Sequence, residues 1–61
     1  MIGYKVLVRK TSNLSAGPER IFRSNDREDA ERVYQQFIID ANNGETIELY
    51  STNKIIKEHH K

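Results

Sequence analysis

The sequence predicts an α+β fold: one small ββαββ domain, residues 1–61, whose four-stranded antiparallel sheet runs in the order 2-1-3-4 with a helix on one face. Three observations lead there. Residues 2–10 alternate apolar and polar, Ala30 to Ala41 carry an apolar stripe at helical spacing, and residues 45–60 read as two strands around a short turn.

In the first strand, 2–10, Ile2, Tyr4, Val6 and Val8 fall on one face and Lys5, Leu7 and Arg9 on the other. The segment TSNLSAGP, 11–18, is a loop by composition, and Pro18 stops any ladder on its nitrogen side. The second strand, 19–24, contains the run RIFR, in which Ile21 and Phe22 must point to opposite faces. A small core covered by a helix calls for the larger side chain, which assigns Phe22 inward and leaves Ile21 and Arg23 outward.

The helix spans 26–42. Asn25 followed by Glu28 resembles a capping box, with Ser24 as an alternative cap, and Asp26, Glu28 and Asp29 place negative charge at the positive end of the helix dipole. Ala30, Val33, Tyr34, Phe37, Ile38 and Ala41 form the apolar stripe, and the outer side offers Arg27–Glu31 and Glu28–Arg32 at ion-pair spacing. Gly44 is the expected left-handed residue after the helix.

The hairpin, 45–60, turns at Thr52-Asn53, a pair in which Thr adopts positive φ poorly. With that turn, Tyr50 faces Ile55, Leu49 faces Ile56 and Glu48 faces Lys57. The core face then holds Ile2, Tyr4, Val6, Val8, Ile47, Leu49 and Ile56 against the helix. The helix-free face carries Lys5, Leu7, Arg9, Glu48, Tyr50, Ile55 and Lys57.

Bulk properties narrow the function. A 61-residue chain buries only roughly 60% of its unfolded surface, and with no cysteine it has neither disulfide nor thiolate metal site, so association is the natural extra support. No apolar run approaches the ~20 residues of a membrane span and no secretory signal is evident, so the expectation is a cytoplasmic protein without a membrane partner. The net charge of +1 supplies no global drive towards nucleic acid. Charge is unevenly spread: residues 1–23 set five cations against Glu19, whereas residues 24–48 set seven carboxylates against Arg27 and Arg32.

Catalysis has little to work with. His59 and His60 are adjacent near the chain end, where strand geometry points them apart, so they are expected to be solvated and fraying, with no metal and no cofactor. The acidic helix residues answer to the dipole and to ion pairing. The expectation is a non-enzymatic protein-binding module, a homodimer or other homo-oligomer that inhibits or modulates another protein. Its chain size suits a phage or other accessory gene product. Its binding face is assigned to Lys5, Leu7, Arg9, Ile21, Arg23, Tyr50, Ile55 and Lys57. The alternatives are a single-stranded nucleic-acid binder, with Tyr50 stacking among basic strand residues, and a structural subunit that only self-associates.

Overall fold

The computed structural model describes residues 3–12 and 17–61, so Ile2 and the middle of the 11–18 loop lie outside the described residues. The elements are β1 (Tyr4–Lys10), β2 (Arg20–Ser24), α1 (Arg27–Asp40), β3 (Glu45–Ser51) and β4 (Lys54–His60). They form one antiparallel sheet in the order β2-β1-β3-β4, as the alternation and the hairpin predict.

The core lies between the sheet and α1. Val6, Val8, Ile47 and Leu49 from the central strands meet Ala30 and Tyr34, and Tyr4, Phe22, Val33, Phe37, Ile38 and Ala41 pack around them. Phe22 is Val6's cross-strand partner and faces inward, while Ile21 pairs with Leu7 on the other face. RIFR therefore divides as side-chain volume dictates.

The helix ends depart from expectation. Asp26, not Asn25, is the N-cap: its carboxylate accepts from Glu28 N at 3.0 Å, and Ser24 Oγ accepts from Asp26 N at 3.0 Å. A cap must reach the second or third helical N–H, and one residue of displacement decides which oxygen does so. Arg27 pairs with Glu31 as expected, but Arg32 turns to Asp29 at 2.7 Å rather than to Glu28. At the other end the chain leaves the helix in extended conformation at Ala41, so Gly44, at φ 88°, serves the turn into β3 instead of the helix terminus. The last-turn carbonyls of Ile38 and Ile39 accept from Lys61 Nζ at 2.8 and 3.4 Å. A cation from the far end of the sequence thus does the work of a C-terminal cap.

The β3–β4 hairpin holds the larger correction. Ser51 faces Lys54 and Tyr50 faces Ile55, but a bulge then shifts the register so that Leu49 faces Lys57 and Glu48 faces Glu58. Because side chains alternate with period two, one extra residue turns everything beyond it to the other face. Lys57 consequently lies on the helix side, 3.4 Å from Glu31 Oε1, and Ile56 is exposed rather than in the core. The Glu48–Lys57 and Leu49–Ile56 pairings do not form. The C-terminus is also not frayed: Lys61 N donates to Glu45 O at 2.8 Å and Gly44 N donates to Lys61 O at 3.0 Å.

Thr52 takes φ 59°, the one non-glycine residue at positive φ among those described. A β-branched residue there is strained by crowding at Cβ, and only the first turn position needs the special conformation, glycine's usual place in a two-residue hairpin. Thr52→Gly is expected to raise the unfolding free energy by about 1 kcal/mol, read from urea denaturation; a lower midpoint contradicts the assigned strain. Burial raises the Tyr34 phenol above its ordinary range, and the Glu58 charge adds to the effect. The neutral phenol is therefore favoured by folding. Its contribution is complete below the unfolded value near 10 and is lost as pH rises through the higher folded value. Thermal midpoints should fall above about pH 10, and Tyr34→Phe should flatten that fall.

Candidate functional site

The registers lay the helix-free face out in three rows. Arg23, Lys5, Tyr50 and Ile55 run across the four strands at one end of the sheet; Ile21, Leu7, Glu48 and Glu58 cross its middle; Arg9, Thr46 and His60 follow. Seven of the eight residues assigned from sequence, all but Lys57, share this face. They do not form one apolar patch. Ile21 and Ile55 stand on opposite edge strands, three inter-strand spacings or roughly 14 Å apart across the sheet.

Leu7, between them, is closed off. It is only 4% exposed although no helix covers it. Beside it, Arg9 Nε approaches Glu48 Oε1 to 3.0 Å with side-chain exposures of 27% and 12%, and Lys5 Nζ stands 4.9 Å from the centre of the Tyr50 ring. The Arg9–Glu48 contact is electrostatic rather than a well-angled hydrogen bond, and neither atom has another partner. Aliphatic stems of charged residues and an aromatic ring thus perform the covering that a second layer would otherwise supply.

The sequence reading missed a polar chain on this face. Thr11 Oγ1 and Thr46 Oγ1 are 2.7 Å apart, Thr46 Oγ1 lies 3.1 Å from His60 Nδ1, and His60 Nε2 lies 2.8 Å from Glu58 Oε1. With Nε2–H donating to the carboxylate, a neutral imidazole accepts from the Thr46 hydroxyl; a protonated one donates to it, and Thr46 turns to Thr11. The chain is satisfied in either state. It also relieves the two carboxylates that face each other across β3 and β4, Glu58 through His60 and Glu48 through Arg9. A hydroxyl, an imidazole and a carboxylate in series resemble a nucleophilic triad, but the Thr46 residue is 3% exposed and its hydroxyl is already shared with Thr11. This geometry ties strands together. Thr46 at the strand position opposite His60 was the available signal, visible only once the bulge set the register.

No protein-family model matches this chain, and no match to it emerged among curated proteins or solved structures. The reading therefore rests on the molecule's own geometry. Among the described residues no three His, Asp or Glu side chains gather closely enough to hold a metal, and no helix is long and apolar enough to cross a membrane.

The edge strand β4 differs from the rest of the sheet in being exposed along all seven residues. Helix α1 packs on β1, β2 and β3. Its side-chain tie to β4 is the Lys57–Glu31 ion pair, which, after the stronger Arg27 bond, helps hold the Glu31 carboxyl below its usual range. Ile55 and Ile56 are 42% and 38% exposed on this strand. Its main-chain ladder is satisfied on the β3 side, leaving the outer side open.

The Arg9–Glu48 pair should prove essential to the face and replaceable as a unit. Arg9→Leu is expected to cost about 2 kcal/mol, below the value for a fully buried pair because Arg9 retains some solvent. Arg9→Leu with Glu48→Leu should recover most of that loss. A double-mutant cycle by chemical denaturation measures the coupling, and additive losses contradict it.

Proposed function

We propose that the protein is a non-enzymatic protein-binding module that acts as a homodimer, two copies joining their sheets through β4. The observation that carries this reading is that a seven-residue edge strand bearing two isoleucines is exposed along its whole length. An open ladder accepts an additional strand, and side chains on either face set its specificity.

A second copy is the occupant that the strand's own sequence favours. A two-fold axis perpendicular to the sheet, centred near Ile56, sets β4 antiparallel to its own copy and brings the exposed Ile55 and Ile56 of both strands to the seam. The resulting eight-stranded sheet keeps both helices on one face, since that axis does not invert the sheet. The helix-free faces then join into one broad surface rich in Lys5, Arg9, Arg23 and Tyr50, available to a further protein.

Single-stranded nucleic acid is less well supported. A base would have to displace Lys5 from the Tyr50 ring and lie beside Glu48 and Glu58, which occupy the middle row.

Light scattering on the full chain is the test. A dimeric mass is expected at micromolar concentration, with Ile56→Asp monomeric and its far-UV circular dichroism unchanged. Ile55→Asp should weaken the dimer in the same way. A wild-type monomer at several hundred micromolar, or a dimer indifferent to these changes, refutes the β4 interface.

A further inference from the structure

A cleft of about 550 Å3 opens at the end of the sheet where β1 begins, β2 ends and the β3–β4 turn returns. Lys5, Arg23, Ser24, Asn25, Thr52 and Asn53 line it, and among the described residues no carboxylate does. We infer that this cleft is a binding site for the phosphate group of a small phosphorylated molecule. The proposal does not depend on the β4 dimer.

Three independent features converge on an anion. Lys5 and Arg23 are direct cross-strand partners, an arrangement of like charges that destabilises a sheet unless something offsets it. Among the described residues neither has a carboxylate within ion-pair distance; Lys5 has only the Tyr50 ring. Elsewhere on this face like charges have partners: Glu48 faces the Arg9 guanidinium and Glu58 is hydrogen-bonded to His60. The basic pair stands out as the one left uncompensated, and an external anion is the missing partner.

The second feature is donor chemistry. Asn25, Thr52 and Asn53, residues with amide and hydroxyl donors, line the cleft, and among the described residues neither amide makes a hydrogen bond within the protein. A guanidinium presents parallel N–H groups suited to two oxygens of a tetrahedral anion, and an ammonium adds charge. Phosphate, with more acceptor oxygens and charge than a carboxylate, uses this set more completely.

The third is strain located at the same place. Thr52 holds φ 59° where glycine would be relaxed, and Thr52 N donates to Gly3 O at 2.7 Å, fastening the turn to the start of β1. A conformation that costs stability in a residue lining a cleft is understandable where that residue has a ligand to meet. The volume lies within the range of small-molecule sites and exceeds what a bare phosphate fills, so an organic moiety fits beside it.

The test is a two-dimensional 1H–15N titration of the full chain with inorganic phosphate and with glycerol 3-phosphate, against sodium chloride and sodium acetate at matched ionic strength. Saturable shifts concentrated at Lys5, Arg23 to Asn25, Thr52 and Asn53 are expected, with tighter binding of the ester. Arg23→Gln, an exposed substitution that leaves the core untouched, should weaken phosphate at least tenfold, and Lys5→Gln similarly, with unchanged circular dichroism. Shifts that chloride reproduces, binding by acetate as tight as by phosphate, or an Arg23→Gln variant of wild-type affinity would each overturn the assignment.

Discussion

One helix must cover a sheet wider than itself. A helix with its side chains is about 10 Å across, whereas four strands at about 4.8 Å spacing need more than that. Helix α1 is centred over β1 and β3 and reaches β2, where Phe22 closes the core's edge. Most other features follow from what this single layer cannot reach. The fully enclosed large side chains, Val6, Ile47 and Leu49, all belong to the two central strands. Beyond them the sheet must find other means of satisfying its surfaces, and it does so differently on its far face and at its far edge.

On the far face the means is charge. Leu7 is as thoroughly enclosed as residues in the main core, yet its surroundings are an ion pair and a cation over an aromatic ring. Such a lid has an energetic asymmetry. Assembled, it shields apolar area at little net electrostatic gain; with one partner removed, it leaves a poorly hydrated charge beside another of the same sign, Glu48 against Glu58. The face is consequently more specific in its demands than a solvated sheet surface, and less available for docking than its apolar residues suggest in isolation.

Much of this was legible in the sequence where local periodicity decides. The alternation in β1, the stripe from Ala30 to Ala41 and the inward choice of Phe22 follow from side-chain direction and volume, and the strand order follows from hairpin connectivity. The hairpin register was legible for the two pairs nearest the turn and no farther, because the register shift between Leu49 and Tyr50 leaves no local mark in the sequence. That one residue moved Lys57 to the helix side and Ile56 out of the core. Lys61 escaped for a related reason: its partners lie 22 and 23 residues away, beyond any helical rule. Leu7 was placed on the correct face, but its enclosure depends on long side chains folding over it, which alternation does not encode. In the candidate cleft, the unfavourable Thr52 was visible beforehand, while the juxtaposition of Lys5 with Arg23 required the pairing of β1 and β2.

At the far edge the means is a set of polar ties. β4 is fastened by its ladder to β3, by His60 to Thr46, by Lys57 to Glu31 and by the backbone and ammonium of Lys61 to Glu45 and the end of α1. None of these uses an apolar side chain. An edge strand ordinarily protects itself from foreign pairing with charge, brevity or a bulge, and β4 has lysines and a bulge but runs to seven residues. Its order is thus secured without Ile55 and Ile56, whose exposed area contributes nothing to the monomer's core. Branched apolar residues on an edge, maintained in a conformation that other groups hold, are the area that the proposed β4 dimer would bury.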